Sequence, residues 1–416
     1  MSGEVWRHLT FAEAVDINPK RALHAGAVVP YVEMAAVPKD GGTIEYLLER
    51  EVGGGGAKFQ NGDTLFARIT PCAENGKTAF VDCLRDGETG LGSTELIVFG
   101  PKRELTDPEY IYHLARSELV RGPAISQMVG TTGRARVPNT VFDEISIPLP
   151  PLHEQRRIAE ILSSADEVIA ATRAVIEQTR KVKQGVLERL LTRGIGHTRF
   201  KQTEIGEIPE AWSLKSIGDI ANVKAGATPS RALHDRYFAS GHIPWVKTGD
   251  LTNGEIAETE EMITDAAVAE SSCEVHLTGT VLVAMYGGFQ QIGRSGILMH
   301  PSATNQAISA LRLRDQTVLG TYLNLALVGL RPKWRMVAAS SRKDPNITKD
   351  DVLRFKVPVP PLAEQQQIIE LMTGAADNLR VLEDELLRLM ECKSALMSDL
   401  LTGCKRVTDA VPMAAE

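Results

Sequence analysis

The stretch PLPPLHEQRRIAEIL, from Pro148 to Leu162, returns as PVPPLAEQQQIIELM, from Pro358 to Met372. Glu154 and Glu364 stand 210 positions apart, as do Gln155 and Gln365, and the offset still matches Leu190–Leu191–Thr192 to Leu400–Leu401–Thr402. An ungapped internal repeat of this length means duplicated architecture. In each copy a Pro-Pro-Leu run suits the first turn of a helix, where a missing N–H lacks an acceptor anyway. The glutamate adds a carboxylate where the helix dipole favours one.

Beyond that start the apolar residues follow a heptad. Leu162, Ile169, Ile176, Lys183 and Leu190 form one row, with Ile158, Ala165, Thr172, Thr179 and Val186 beside it. The second copy repeats it with Met372, Leu379, Leu386, Lys393 and Leu400, beside Ile368, Ala375, Leu382, Leu389 and Leu396. A seam of this length predicts a coiled coil. Lys183 and Lys393 interrupt it at equivalent layers, either as polar positions that set register or as side chains snorkelling from the seam. Each helix of roughly 40 residues, at ~1.5 Å per residue, is an arm ~60 Å long. A third row differs between copies: Ile161, Val168, Val175 and Val182 against Leu371, Asn378, Glu385 and Cys392. The wider stripe on the first helix makes those four aliphatic residues a candidate partner-docking surface.

Outward from the helices, the chain divides into 1–146, a globular segment; 147–196, the first long helix; 197–356, a polar linker and second globular segment; and 357–416, the second long helix and tail. Both globular segments show short apolar runs between Gly, Pro and Asp turns, such as GDTLFARI and STELIVFG, which predict a curled mixed sheet with helices, an α+β class. Asp107–Pro108 predicts a capped helix start before the first long helix, and LGTYLNLALVG a helix before the second. The segments echo each other faintly. Trp6 answers Trp212, Val29–Pro30–Tyr31–Val32 answers Ile243–Pro244–Trp245–Val246, and Asn61–Phe66 answers Leu277–Leu282 in pattern. The helices are alike and the globular parts divergent.

With 416 residues, 43% hydrophobic and 24% charged, the composition is that of a soluble globular protein. No basic–apolar leader and no membrane-length apolar run is legible. The five cysteines form no CxxC pair, which predicts a reducing cytoplasm and no structural zinc. A net charge of −7 argues against DNA only softly, because contact needs a local basic patch.

Catalytic motifs fail one by one. Asn75–Gly76–Lys77–Thr78 resembles the end of a phosphate loop, but Pro71 stands where that motif needs glycine. Gly53–Gly56 lack a strand–turn–helix context, and the histidines have no metal-ligand spacing. Basic and amide residues gather instead in Gly-rich turns, the second segment's set including Lys224, Arg231 and Arg335. Arg, Asn and Gln read base edges, and Lys and Arg meet phosphates.

The repeated P-L-x-E-Q helix start, LLTRGIGHTRFKQTEIGEIPEAW, GDTLFARITPCAENGKTAF and YGGFQQIGRSGI with ATNQAI together resemble the specificity subunits of type I restriction-modification systems, over essentially the full length. The resemblance implies two target recognition domains, each reading half of an asymmetric bipartite site in double-stranded DNA. The two helices are expected to pair antiparallel, as a pseudo-twofold spacer and ruler for the unread gap. It implies a non-catalytic chain whose partners are two modification (methyltransferase) subunits and restriction (translocase/nuclease) subunits. S-adenosylmethionine, ATP and Mg would sit on those partners, with no cofactor, metal or membrane contact in this chain. Expected DNA contacts are Lys58, Arg68, Asn75, Lys77, Ser93, Thr94, Arg134 and Arg136 in the first domain. In the second they are Lys247, Thr248, Gln290, Gln291, Arg294, Asn305, Gln306, Arg342 and Lys343. The alternatives are the recognition module of a related modification-only or defence system, and a coiled-coil adaptor that binds protein.

Overall fold

The computed structural model describes residues 5–39, 41–131, 133–338 and 346–407. The chain forms two compact units, Met1–Val175 with Glu383–Glu416, and Ile176–Leu382. Each therefore holds one globular segment with the near half of one long helix and the far half of the other, rather than leaving the helices as separate domains.

In the first unit the elements run β1 (Arg7–Thr10), α1 (Phe11–Ala14), β2 (Val15–Ile17), β3 (Val28–Val32), β4 (Leu48–Glu51), β5 (Ala57–Phe59), β6 (Thr64–Ala67), β7 (Thr78–Phe80), β8 (Gly90–Gly92), β9 (Leu96–Pro101), α2 (Pro108–Arg116), α3 (Arg121–Ser126) and β10 (Ser146–Leu149) before the long helix α4 (Leu152–Arg193). Two four-stranded sheets, ordered β2-β9-β6-β7 and β4-β3-β8-β5, replace the single curled sheet of the sequence reading. Ile147–Leu149, expected to open the long helix, instead pairs antiparallel with Arg7–Leu9 as strand. The helix expected from Asp107 breaks at Ser117 into α2 and α3, and the Asp107 carboxylate caps α2 on the N–H groups of Glu109 and Tyr110. Phe11, Phe66, Phe99 and Phe142 pack ring on ring in the core, with neighbouring centroids 4.9–6.2 Å apart.

In the second unit the elements are β11 (Phe200–Thr203), β12 (Gly206–Pro209), β13 (Ser213–Ser216), α5 (Ile217–Ile220), β14 (Ala221–Ala225), α6 (His234–Tyr237), β15 (Ile243–Val246), β16 (Glu255–Ile256), β17 (Glu261–Ile263), α7 (Asp265–Glu270), β18 (Val281–Ala284), β19 (Ser295–Leu298), β20 (Ala303–Thr304), β21 (Ile308–Leu313), α8 (Gly320–Gly329), α9 (Trp334–Val337), α10 (Lys349–Arg354), β22 (Lys356–Val359) and α11 (Leu362–Thr402). The sheets run β14-β21-β18-β19-β16 and β17-β15-β20. The faint echoes in sequence are structural counterparts. β3 pairs parallel with β8 as β15 does with β20. The capping box between Thr10 and Glu13 returns between Ser216 and Asp219.

The Glu-Gln pair that recurs in each repeat has a physical job. Gln155, fully buried, donates Nε2 to the carbonyls of Leu105 (3.0 Å) and Pro150 (2.8 Å) and accepts the Asp107 N–H at 2.9 Å. Gln365, also fully buried, makes the same three bonds, donating to Thr317 (2.9 Å) and Pro360 (2.9 Å) and accepting from Leu319 at 2.8 Å. Only a primary amide supplies two donors and an acceptor from one side chain. The glutamates do more than complement a dipole. Trp6 Nε1 donates to Glu154 at 2.9 Å and Trp212 Nε1 to Glu364 at 2.8 Å. Arg406, just past α11, donates to Glu154 at 2.8 Å, and His197, just past α4, lies 3.0 Å from Glu364. Burial pushes the Glu154 carboxyl up, but the Arg406 and Trp6 hydrogen bonds outweigh it and hold it below the usual range.

Within each unit the paired helix segments run antiparallel. In the first, Ile158 and Leu162 share a core with Leu401 and Leu400, and Asp166 meets Lys393. In the second, Leu187, Leu190 and Leu191 share a core with Met372 and Ile368. The two seam lysines part company. Lys393 is buried on Asp166, which also binds Arg116 at 2.8 Å. Lys183 is half-buried, and the repeat counterpart of Asp166 is Ala376. The third row remains on the surface of the described residues, with Val168, Val175 and Val182 about half exposed and Ile161 partly covered.

Candidate nucleic-acid interface

A common backbone frame carries the residues expected to read DNA. In the first domain Arg68 N donates to Glu95 O (3.0 Å), Val137 N to Arg68 O (2.8 Å) and Ser93 N to Val32 O (3.0 Å). In the second, Met285 N donates to Ala307 O (2.7 Å), Ile347 N to Met285 O (3.0 Å) and Asn305 N to Val246 O (3.0 Å). The residues just after β6 and β18, the turns before β9 and β21, and the segments ahead of β10 and β22 thus interlock in the same way. Upon this shared frame Arg68 is answered by Met285, Glu95 by Ala307, and Ser93 by Asn305.

In the first domain Lys58, Arg68 and Thr94 line one open cleft of about 540 Å³, together with Asn18, Lys20 and Arg21. Lys58 Nζ donates to Arg21 O at 2.8 Å, and Arg21 Nη2 donates to the buried Asp63 at 2.7 Å, so the cleft floor is rigid. Arg68 Nη2 donates to Val137 O at 2.8 Å while its buried Nε has no partner. Ser93 Oγ accepts the Glu95 N–H, and Thr94 is exposed. Arg136 grips Glu95 with two hydrogen bonds of 2.6 and 2.8 Å, which hold that carboxyl below its ordinary range. Arg134 is exposed in the preceding turn. Asn75 and Lys77 fall elsewhere. Asn75 lines a separate depression beside Arg121, and Lys77 Nζ donates to the carbonyls of Met34 and Val37, both at 2.8 Å, pinning the fold. Sequence reasoning passed over Lys20 and Arg21, though the Asn18–Pro19 turn followed by two cations was a legible signal.

In the second domain Lys247, Thr248, Asn305 and Gln306 come together through the Asn305–Val246 bond. Lys247 is already occupied, donating to Glu260 at 2.6 Å and Glu261 at 2.7 Å. Arg231 also binds Glu261, and the hydrogen bonds from Arg231 and then Lys247 pull that carboxyl down to about 2. Asn305 Oδ1 caps the Ala307 N–H, and Gln306 accepts from Thr228. Gln290, Gln291 and Arg294 belong to a second group at the β18–β19 turn, where Gln290 and Arg294 join Phe289, Arg331 and Arg335. Arg342 and Lys343 lie outside the described residues. Among the described residues no group of His, Cys, Asp and Glu is arranged to hold a metal ion, and no helix is long and apolar enough to cross a membrane.

Two like frames bearing unlike polar surfaces, each joined to long helices by the same Gln-Glu latch, define a duplicated recognition protein. The family model for the type I restriction modification DNA specificity domain matches residues 20–179 and again 209–387. The chain belongs to that family: it is a DNA sequence-specificity subunit of the type I class, and not itself an enzyme. It is 26% identical over 328 residues to the MjaVIII specificity subunit of Methanocaldococcus jannaschii, covering 77% of this chain and 76% of that one. The putative MjaX specificity subunit of the same organism is 26% identical over 349 residues, at 83% and 79% coverage. The fold is that of solved chains. One comes from a study of type I R-M assembly (TM-score 0.67, 20% identity, 96% and 98% covered). Another is the type I S subunit of M. genitalium (TM-score 0.53, 16% identity, 98% of each covered).

Proposed function

We propose that the two recognition domains read different half-sites, so that the chain selects an asymmetric, bipartite DNA target and brings methyltransferase and restriction subunits to it. The observation that carries this is the substitution pattern on the shared frame. The positions held by Arg68, Ser93 and Glu95 in one domain are held by Met285, Asn305 and Ala307 in the other. Identical readers would favour a palindrome, and unlike readers do not. Arg68, Thr94 and Lys58 are the readers and phosphate contacts of the first cleft, and Asn305, Gln306 and Thr248 those of the second, where Lys247 is held by Glu260 and Glu261 instead.

The exposed row Val168–Val175–Val182, with Ile161 at its start, serves as the seat of a modification subunit. S-adenosylmethionine, ATP and Mg act on those partners, in the cytoplasm. Coexpression with the cognate methyltransferase, followed by mapping of methylated adenines, tests the reading. A split motif with unlike halves is expected; a palindromic motif or none refutes it. Arg68→Ala relaxes the bases of one half only.

A further inference from the structure

One carboxylate stands where a surface that meets DNA has least use for it. Glu95 follows Thr94 of the first cleft, whose lining carries Lys20, Arg21, Lys58 and Arg68, and its side chain is 25% exposed. A bare carboxylate there would repel phosphates. Glu95 is not bare: Arg136 Nε and Nη2 donate to its two oxygens at 2.8 and 2.6 Å. With 45% of the Arg136 side chain in solvent the pair adds little to stability, as surface ion pairs do. The backbone nevertheless holds both partners still. Arg68 N donates to Glu95 O at 3.0 Å and Val137 N donates to Arg68 O at 2.8 Å, so Glu95 and Arg136 flank one residue. Arg136 and Val129 exchange N–H···O bonds of 2.9 Å in both directions, and the turn joining them is so tight that a Cβ on Gly130 would lie 2.9 Å from Arg134 O.

A guanidinium carries five donors in one fixed plane. Glu95 takes the Nε–Nη2 edge and leaves the Nη1–Nη2 edge, a fork that matches O6 and N7 of guanine. An arginine meant for phosphate gains nothing from a carboxylate behind it, whereas one meant for a base edge gains a fixed direction. The second domain supplies the control. Its frame places Ala307 where Glu95 stands and Ile347 where Val137 stands, so the exposed Asn346, one residue earlier, answers Arg136. The carboxylate is present where the arginine is and absent where it is not. A pair that belonged to the frame would recur in both domains.

We infer that Arg136 reads a guanine in the half-site of the first domain, with Glu95 as the positioning residue that aims it, and that the second half-site has no such reader. This rests on the reading that each domain takes one half of a bipartite target, and it assigns a base identity to one position. A fork of this kind favours guanine over the wrong base about 10- to 100-fold.

The test uses the complex isolated through the full chain, with Arg136→Ala, Arg136→Lys and Glu95→Gln. Mapping of methylated adenines first gives the motif, which is expected to hold a guanine in one half. Duplexes then carry 7-deazaguanine, which lacks the N7 acceptor, at each guanine in turn. Wild-type complex should lose about 10-fold in affinity at one such position. Arg136→Ala should be indifferent to that replacement, keep its response to the other half, and accept other bases there in its methylated motif. Arg136→Lys, a point charge in place of a fork, should lose the same discrimination. Glu95→Gln keeps the cation but loosens its aim, so its preference for that guanine should fall about 3- to 10-fold while scrambled-duplex binding is unchanged. A motif without guanine overturns the proposal, as does wild-type binding that no 7-deazaguanine weakens. Tighter binding of Glu95→Gln to target and scrambled duplexes alike, or a flatter salt slope in Arg136→Ala with its discrimination intact, makes Arg136 a phosphate contact and also overturns it. Should Arg136→Ala misfold, Arg136→Lys and the wild-type series still decide. Wild-type complex that methylates no split motif would instead sink the half-site reading, and this proposal with it.

Discussion

Replacing Gln155 by Leu keeps the volume of a buried side chain while deleting every polar atom that latches α4 to its domain. Three partners are stranded: the carbonyls of Leu105 and Pro150 and the N–H of Asp107. Each buried group left without a partner costs about 1–3 kcal/mol, and some reach water once the joint loosens, so a net loss of about 3–5 kcal/mol is expected. Gln155→Glu removes the amide donors and buries a carboxylate against two carbonyls, so it is at least as damaging near neutral pH and milder in acid. Denaturant titration gives the total, and hydrogen exchange locates it. Protection should fall first at Asp107–Arg116 and around β10. Gln365→Leu should produce the same loss at Thr317–Gly329 and β22. A penalty under 1 kcal/mol in both variants, or lost protection confined to residues remote from the replaced glutamine, would refute the latch.

Asp166→Ala leaves the Lys393 ammonium buried beside Arg116 and should destabilise the chain by about 3–5 kcal/mol, whereas Asp166→Leu/Lys393→Met recovers most of that loss in thermal unfolding. His113 is held neutral by burial and by the nearby Arg116, its pKa lowered to about 3. The unfolded chain therefore binds the extra proton as pH falls below ~6.5, and stability drops by up to about 1.4 kcal/mol per pH unit toward pH 3. His113→Gln should flatten that slope between pH 6.5 and 5, above the range where carboxylates titrate. Two glycines of α4 and its end part ways. At Gly194, φ is +60° and a Cβ would lie 2.6 Å from Glu364 Oε1, so Gly194→Ala costs about 2 kcal/mol, while Gly185→Ala, in open space on the helix, adds about 0.5–1 kcal/mol. One heptad inserted in both long helices should lengthen the unread gap of the methylated motif, and one inserted in a single helix should abolish methylation; an unchanged gap after double insertion refutes the ruler.

The long helices, their seam and the duplication were legible because period and repetition are properties of a single sequence. The roles of Gln155 and Glu154 were not, since their partners lie about 50 and 150 residues away and follow no period. Trp6 and Trp212 had been matched as echoes, and only the fold joins them to Glu154 and Glu364. The same limit governs the binding residues. Lys58, Arg68 and Thr94 line one cleft, but nothing local in the sequence distinguishes them from Lys77, which spends its charge on two internal carbonyls. Lys247 looks like a free cation until Glu260 and Glu261, a strand away, close on it. The equivalence of Arg68 with Met285 was invisible because the sequences there share nothing; hydrogen bonds of the backbone identify it.

The two latches also bear on heredity. Each asks very little of the domain it holds: a tryptophan near its beginning, and a free N–H and carbonyl just ahead of α2 or α8. Everything between those points is left unconstrained by the joint, and both joints accept the same plug. A recombination event that exchanged the reading surface between these boundaries would hand an intact scaffold a new half-site in a single step. A point mutation within the latch would cost the molecule stability without touching the surface that reads.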